Sequence, residues 1–320
     1  MKIRKFVIIN IILSIFLISS LYGLSWFYIN YVNDRTVKFM EYNKLPDNSI
    51  DIVSLGSSHG KFGLNLWEKN QMNLGLEQQG FYYGLKLLEK YENKIKEGAI
   101  VIIPISIFSF NEGNDFSKDE TYKNYVNLLE KKFIRKNLKE SEYFLTRKFS
   151  VIYPPARLLE VIKYLKENKN VKRNMIKYGN NIRGKMLEVE AKKADSHING
   201  FKEENIRNGI NRLIEILNYS KEKRYTPILC IIPTYYLYNE ELERVDKNIF
   251  YSGINKNIQT IEKILEKEYI FLDYSHDKRF KNNVEYFMDD DHLNEKGAKY
   301  FTEILLNDIN ERLKDEERAL

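Results

Sequence analysis

The sequence predicts an α/β fold built on a five-stranded parallel sheet and preceded by a membrane-spanning helix. Three observations lead to this prediction. Short apolar runs alternate with amphipathic stretches along most of the chain, a pattern typical of parallel strands joined by helical crossovers. A long apolar stretch without charged residues stands near the N-terminus. Hydrophobic residues make up 43% of the chain, which is ample for a packed core.

The N-terminal apolar stretch covers residues 6–28 and follows the basic residues Lys2, Arg4 and Lys5. With a rise of about 1.5 Å per residue, it can cross a hydrocarbon core of about 30 Å. The aromatic residues at its far end suit a membrane interface, and the basic flank predicts a cytoplasmic N-terminus. A cleaved signal peptide is the alternative, although the stretch is long for one and no A-x-A-like site follows it.

These features predict a single-pass protein of the cell membrane, with residues 1–32 as the anchor and residues 33–320 as an extracytoplasmic domain. Five short apolar segments are predicted strands, at residues 51–55, 71–74, 99–105, 226–232 and 269–273. Helical periodicity is visible at residues 82–91, 204–219, 254–266 and 295–313. Each helix stands between or after strands, as right-handed crossovers require.

A segment with little strand character, at about residues 111–203, interrupts the alternation and predicts a helical insertion. Its part 131–185 holds sixteen Lys and Arg residues against four Glu residues, a net charge of +12, compared with +6 for the whole chain. Two interpretations stay open. The basic stretch forms either a solvated helical surface or an electropositive face toward anionic lipid headgroups or an anionic wall polymer.

Within the insertion, the prolines at 154 and 155 predict the start of a helix. The apolar face of this helix would carry Leu158, Leu159, Ile162 and Leu165.

The first predicted strand runs directly into the sequence Gly56-Ser57-Ser58-His59-Gly60. A serine therefore stands at the C-terminal end of a parallel strand, where α/β sheets place their sites. A helix that begins after this turn would direct its free N–H groups and its positive dipole end toward the serine, which would stabilise an oxyanion. The alternative is a small-residue turn with a capping serine and no chemistry.

A second motif near the C-terminus places Asp289 three residues before His292, on an expected loop. A histidine that acts as a general base needs a carboxylate on Nδ1, so that Nε2 faces the hydroxyl. Asp290 and Asp291 are adjacent alternatives for this orienting role, and Asn294 can cap the helix that follows. The non-catalytic alternative is an acidic flank that favours the helix dipole. The three aspartates and His292 could also bind a metal, but the sequence shows no second spaced cluster of ligands. No metal site is therefore predicted.

The LGSSH sequence, followed far downstream by DxxH with HLN and a glycine, resembles the SGNH (GDSL-like) hydrolase superfamily. It resembles in particular a membrane-anchored bacterial branch that includes the D-alanyl transfer protein of teichoic acid biosynthesis and alginate O-acetylation proteins. The resemblance implies a three-layer α/β/α, flavodoxin-like fold with a catalytic triad of Ser58, Asp289 and His292. Ser57 stands where the family usually has an aspartate.

The resemblance also implies that the Gly75 amide joins that of Ser58 in an oxyanion hole. The family's third block, a glycine and an asparagine after the third strand, is not recognisable, and Ser106, Ser109 and Asn111 are candidates for the missing donor. Asn111 is included in the predicted oxyanion site.

Two further histidines are candidates for the pocket. His59 follows the nucleophile and lines the site or stabilises the turn, and His197 reaches the pocket mouth or serves as a surface or capping residue. Ser57 is a third candidate for the pocket.

Two functions remain open. The first is an extracytoplasmic serine esterase or O-acyltransferase that acts on an acylated cell-surface polysaccharide or teichoic acid, with a membrane-bound O-acyltransferase as the partner that the resemblance implies. The second is a non-catalytic accessory subunit of such an acyltransferase or of a polysaccharide export complex.

No cofactor is expected. A nucleic-acid partner is disfavoured because the domain is predicted to be exported and no recognition motif is present. The single cysteine, Cys230, lies in an apolar run and excludes an internal disulfide.

Overall fold

The computed structural model of the protein describes residues 2–66, 68–112, 121–152, 156–166, 202–245, 251–265, 269–281 and 283–319. The chain divides into two compact units, Met1–Lys44 with Asp115–Lys177 and Leu45–Asn114 with Tyr178–Leu320. The strands are β1 (Ile50–Ser54), β2 (Gln71–Asn73), β3 (Ile95–Pro104), β4 (Thr226–Ile231) and β5 (Ile270–Asp273). The helices are α1 (Lys2–Phe27), α2 (Asp34–Asn43), α3 (Ser58–Gly63), α4 (Phe81–Lys90), α5 (Glu140–Lys148), α6 (Ala156–Lys166), α7 (Glu203–Glu222), α8 (Tyr236–Val245), α9 (Tyr251–Leu265), α10 (Lys278–Lys281) and α11 (Glu295–Ala319).

The second unit is built on one five-stranded sheet in the order β2-β1-β3-β4-β5, with every neighbouring pair parallel. This is the flavodoxin-like order, and it places a topological switch point between β1 and β3. Helix α7 contacts both α4 and α9, and helix α3 packs against α11. The predicted α/β fold with a five-stranded parallel sheet is confirmed.

Where they are buried, the central strands are apolar because helices cover both faces of a parallel sheet. In β3, Val101, Ile102 and Ile103 are fully buried. In β4, Cys230 is equally inaccessible, and burial raises the pKa of its thiol. The core of this unit therefore lies along β3 and β4.

The first unit begins with α1, which continues through a π-helical turn, Tyr28–Val32. Asn33 then caps α2 by accepting hydrogen bonds from the amides of Arg35 and Thr36. In the described part of the chain, Ile3–Val32 is the one helix long and apolar enough to span a membrane. Its most apolar window has a mean hydropathy of 2.3 and contains no buried residue.

The predicted insertion is described only in part, at residues 121–152 and 156–166, where it forms α5, α6 and short 3₁₀ turns. The helix expected after the two prolines is α6. His197 and the remainder of the basic stretch, residues 167–185, lie outside the described residues.

Candidate active site

The turn after β1 requires its two glycines. Gly56 has φ +108°, a conformation that L side chains rarely adopt, and a Cβ there would also lie 3.3 Å from Pro104. A Cβ on Gly60 would lie 2.4 Å from the carbonyl oxygen of Leu55. The chain can therefore turn sharply from β1 into α3, and this turn sets Ser58, which is half-buried, as the first residue of the helix.

A short loop before α11 carries the three aspartates and His292. An antiparallel bridge between Phe287 and Leu293 closes this loop, and the Met288 amide donates to the His292 carbonyl oxygen at 3.0 Å. Asn294 Oδ1 accepts from the Gly297 amide at 3.0 Å, as expected of a helix cap. The loop is therefore anchored on both sides of His292.

His292 is held by carboxylates at its Nδ1 atom. This atom lies 2.9 Å from Asp289 Oδ1 and 3.0 Å from Asp289 Oδ2, and the His292 amide also donates to Asp289 Oδ1 at 2.7 Å. Asp291 Oδ1 lies 2.7 Å from the same Nδ1 as a second ion-pair partner. The structure thus brings Asp289 and His292 together, and it adds Asp291, one of the two alternatives that the sequence leaves open.

Asp290 takes a different position from its neighbours. Its side chain is buried, and its carbonyl oxygen accepts from the Tyr235 amide at 2.9 Å. Tyr235 follows β4 directly before α8. Asp290 therefore ties the loop to the C-terminal end of the sheet.

The two carboxylates control the protonation of His292. Burial alone would lower the pKa of this imidazole, but the hydrogen bonds that Nδ1 donates to Asp289 and Asp291, and the charges of these carboxylates, outweigh burial and raise the pKa to about 10. The His292 cation in turn holds the pKa of Asp291 well below its usual range, against the effect of burial. Because the His292 pKa is raised on folding, its protonated form stabilises the fold below pH 6.5, and this contribution is lost as the pH rises through about 10.

We expect the His292 imidazole to titrate near pH 10 in nitrogen NMR spectra. Asp291→Asn should lower this pKa because it removes one of the two negative charges at Nδ1. Asp47→Asn, at an exposed ion pair with Lys94, is the matched control and should leave the His292 pKa unchanged. An unaltered His292 pKa in the Asp291 variant would contradict this arrangement.

His59 lies beside His292 and is 7% exposed. The two rings stack with centroids 5.0 Å apart, and His59 Nε2 lies 3.6 Å from Asp291 Oδ2. On its other side, His59 Nδ1 lies 3.4 Å from Ser57 Oγ. Asp291 therefore faces both imidazoles, and His59 and Ser57, which the sequence offers only as pocket candidates, both belong to this cluster.

The other ring nitrogen of His292, Nε2, lies on the side of the ring away from these carboxylates. Nε2 is buried and has no hydrogen-bond partner among the described residues, so it is not bonded to the Ser58 hydroxyl. The ring nevertheless contacts α3, since the Phe62 ring meets it edge-on at 5.6 Å. In unliganded enzymes the bond between base and nucleophile is often long.

Gly75 lies against the turn between β1 and α3, because a Cβ added to it would be 2.8 Å from the Lys61 amide nitrogen and 3.1 Å from the Gly56 carbonyl oxygen. Its own amide donates to Asn73 Oδ1 at 2.8 Å. Asn73 Nδ2 donates to the Leu64 carbonyl oxygen at 2.8 Å. The Asn73 side chain thus joins the end of β2 to the end of α3 and engages the amide predicted for the oxyanion hole.

The candidates for the third block differ in their surroundings. Asn111 Oδ1 accepts from Asn205 Nδ2 at 2.8 Å, so this side chain binds α7. Ser109 Oγ accepts from the Ser106 amide at 3.0 Å in a capping box. Ser106 lies with His59 on the wall of a narrow cavity.

This cavity has a volume of about 20 Å³, room for about one water molecule. Apart from Ser106 and His59, its walls are formed by side chains that follow β3, β4 and β5, among them Phe108, Ile232, Thr234, Tyr238 and Asn239. The sequence shows no pattern that would single out Phe108 or Tyr238, because only the fold brings these strand ends together.

Among the residues that the structure describes, two groups of side chains have the composition of a cation site. Ligand atoms of His59, Asp291 and His292 lie within 4.8 Å of one another, as do those of the three consecutive aspartates. The contacts of 2.7–2.9 Å from His292 Nδ1 to carboxylate oxygens are those of an imidazole N–H, which leaves no lone pair on Nδ1 for a metal.

No protein-family model and no curated protein matches the chain. Among solved structures, it is similar to a provisionally assigned acylhydrolase from Bacteroides fragilis, with 11% identity and a TM-score of 0.41 over 86% of this chain and 94% of that one. It is also similar to a provisionally assigned GDSL-like lipase from Parabacteroides merdae, with 11% identity and a TM-score of 0.37 over 82% and 96% of the two chains. Matches at this identity assign neither a family nor a function.

Proposed function

We propose that this chain is an SGNH-type serine esterase or O-acyltransferase. It acts outside the cell membrane on acyl esters of a cell-surface glycan or teichoic acid. The observation that supports the proposal best is the His292 imidazole, with carboxylates on Nδ1 and a buried Nε2 that has no partner in the described part of the chain. This ring packs against α3, the helix that begins at Ser58. A general base beside a serine hydroxyl needs this arrangement.

In the first half-reaction, Ser58 Oγ attacks the ester carbonyl carbon while His292 Nε2 accepts the hydroxyl proton. The resulting imidazolium is stabilised by Asp289 and Asp291. When the tetrahedral intermediate collapses, the bond between the carbonyl carbon and the leaving oxygen breaks, and His292 returns the proton to that oxygen. The alcohol leaves, and the acyl group stays on Ser58.

The second half-reaction repeats these steps with a new hydroxyl. Water or a sugar hydroxyl gives its proton to His292 Nε2 and attacks the Ser58 ester. Collapse then expels Ser58 Oγ, which regains the proton. Hydrolysis and transfer differ only in the acceptor.

The negative charge that develops on the carbonyl oxygen needs donors. The Ser58 amide, in the first turn of α3, and the Gly75 amide are the proposed pair. Because Gly75 donates to Asn73 in this structure, its amide must share this hydrogen bond with the substrate or release it. Losing one such donor lowers turnover roughly a hundredfold to a thousandfold.

The accessory role is the second candidate. Its support is the third block, which is not recognisable in the sequence, together with the contact of Asn111 Oδ1 with Asn205 Nδ2, which ties this candidate side chain to α7. In this role the chain would assist a membrane-bound O-acyltransferase and would not itself form an acyl intermediate.

A fluorophosphonate probe distinguishes the two functions, because it phosphonylates only an activated serine. We expect the full-length protein in detergent to be labelled and Ser58→Ala to remain unlabelled. Ser49→Ala is the matched control. Ser49 precedes β1, at the opposite end of that strand from Ser58, and its hydroxyl donates to the Pro46 carbonyl oxygen.

Labelling of the Ser49 variant should equal that of the unaltered protein. Labelling that survives Ser58→Ala would reject Ser58 as the nucleophile. No labelling of any form would favour the accessory role.

A further inference from the structure

The helical hairpin formed by α5 and α6, with the 3₁₀ turn Ser150–Ile152 between them, exposes an unusual amount of apolar surface. It contacts α1 along the last part of that helix. Its outward side chains include seven large hydrophobic residues that are 39–67% exposed, namely Phe144, Leu145, Ile152, Leu158, Leu159, Ile162 and Leu165. Surface this apolar is a sign of an interaction site.

The contacts between the hairpin and α1 are extensive and specific. Tyr28, Val32, Val151 and Val161 form a buried cluster. The Val151 amide donates to Ser25 Oγ at 3.2 Å, so the hairpin satisfies a polar side chain of α1 that is fully buried. These contacts attach the hairpin to the C-terminal end of α1 and to the π-helical turn that continues it.

Helix α6 is apolar on two sides. Its inner side places Val161 and Tyr164 against the aromatic residues of α1. Its outer side places Leu159 and Leu165 in solvent, at 67% and 59% exposure. A helix at a protein surface usually turns its apolar stripe to the core and its polar side chains to water, so the exposed leucines of α6 indicate a second apolar environment.

The length of the anchor indicates what this environment is. The helical span Ile3–Val32 has 30 residues, about 45 Å at a rise of about 1.5 Å per residue, whereas a hydrocarbon core is about 30 Å thick. If the basic residues at the N-terminus mark one face of the membrane, the surplus of about ten residues emerges at the other face. The hairpin is attached to this surplus, close to the exposed aromatic residues Trp26 and Tyr31.

The basic side chains of the hairpin also favour a position at the outer membrane interface. Arg147, Lys163 and Lys166 are exposed beside the apolar residues. An amphipathic segment with apolar side chains on one face and basic residues beside them binds at the boundary between acyl chains and anionic headgroups.

We propose that α5 and α6 lie in the outer interface of the membrane, with their exposed apolar side chains among the acyl chains and their basic side chains at anionic headgroups. The proposal rests on the proposed function only in its location at the cell membrane, for which residues 1–32 are the predicted anchor, and it is independent of the esterase chemistry. The basic insertion of the sequence, in its described part, would thus be a second membrane contact.

The test uses the full-length protein in bilayers that contain phosphatidylglycerol, with an environment-sensitive fluorophore on one introduced cysteine. Leu159→Cys reports the hairpin, and Leu165→Cys repeats the measurement at a second exposed position. Ile12→Cys reports the anchor. Asp315→Cys, exposed near the end of α11, is the control outside the membrane. The unaltered protein shows the background from Cys230.

We expect the fluorophore at 159 or 165 to lose most of its emission to a nitroxide near the headgroup end of the acyl chain, and to be shielded from aqueous iodide. The fluorophore at 315 should behave in the opposite way. If the fluorophore at 12 is quenched within the bilayer but iodide reaches 159 and 165, the anchor stands and the interfacial hairpin is wrong. Iodide quenching at 12 would overturn both. Shielding of 159 and 165 from lipid and aqueous quenchers alike would overturn the lipid contact and indicate a protein partner.

Discussion

Replacing His292 with Gln should lower kcat for cleavage of an activated ester such as p-nitrophenyl acetate roughly a million-fold, the order of the loss when the histidine of a serine triad is removed. His292 Nε2 is the one nitrogen of this ring that is not engaged by a carboxylate. Glutamine can still donate to Asp289, but it cannot accept the Ser58 proton. The measurement is the initial rate of nitrophenolate release, with the Ser58→Ala variant as the baseline.

His276→Gln is the matched control for this substitution. His276 is 61% exposed and pairs with Glu243 through Nε2, so its replacement should leave kcat close to that of the unaltered protein. Circular dichroism would show whether both variants retain the fold. Ester cleavage at a normal rate by a folded His292→Gln variant would exclude His292 as the general base.

Asp289→Asn should lower kcat about ten-thousand-fold, as expected when the carboxylate that orients a triad histidine becomes an amide. Asp289 accepts from both the Nδ1 atom and the backbone amide of His292. An asparagine that keeps the backbone contact through its oxygen can present its NH₂ group to Nδ1, which favours the wrong tautomer. The measurement is again kcat with the activated ester.

Asp291→Asn provides the comparison because Asp291 lies at the same Nδ1 atom but does not bind the His292 amide through any described contact. Since His292 must be neutral to act as a base, and its pKa is raised to about 10, kcat/KM should rise toward alkaline pH. In the Asp291 variant this rise should occur at lower pH, with a smaller loss of kcat than in the Asp289 variant. Equal losses with no shift of the pH profile would contradict separate roles for the two carboxylates.

The sheet could be predicted from the sequence because its strands are continuous apolar runs, such as Val101–Ile103 in β3 and Ile228–Ile231 in β4, bounded by turns. The helix cap at Asn294 was also predictable, since a cap depends on a few consecutive residues. Periodicity does not indicate helix α3, because its six residues are too few to show a helical period, and only the serine turn after β1 points to a helix there.

The pairing of Asp289 with His292 is local in sequence, so the three-residue spacing sufficed to predict it. The stacking of His59 on His292 is not, because these residues are 233 positions apart and only the packing of α3 against α11 brings them together. The contact of the hairpin with α1 could not be predicted from the sequence either. Charge and apolar periodicity indicated a basic insertion with an amphipathic helix, but they do not show which other element this helix packs against.

The burial of Cys230 has a practical consequence for work on this protein. The thiol is buried in β4, and burial raises its pKa. Little of it is therefore in the reactive thiolate form while the protein is folded. Maleimides and other alkylating reagents should leave the folded chain unmodified, and air oxidation should not cross-link it. The native sequence can therefore accept a spin label or fluorophore at any chosen surface position without first removing its own cysteine.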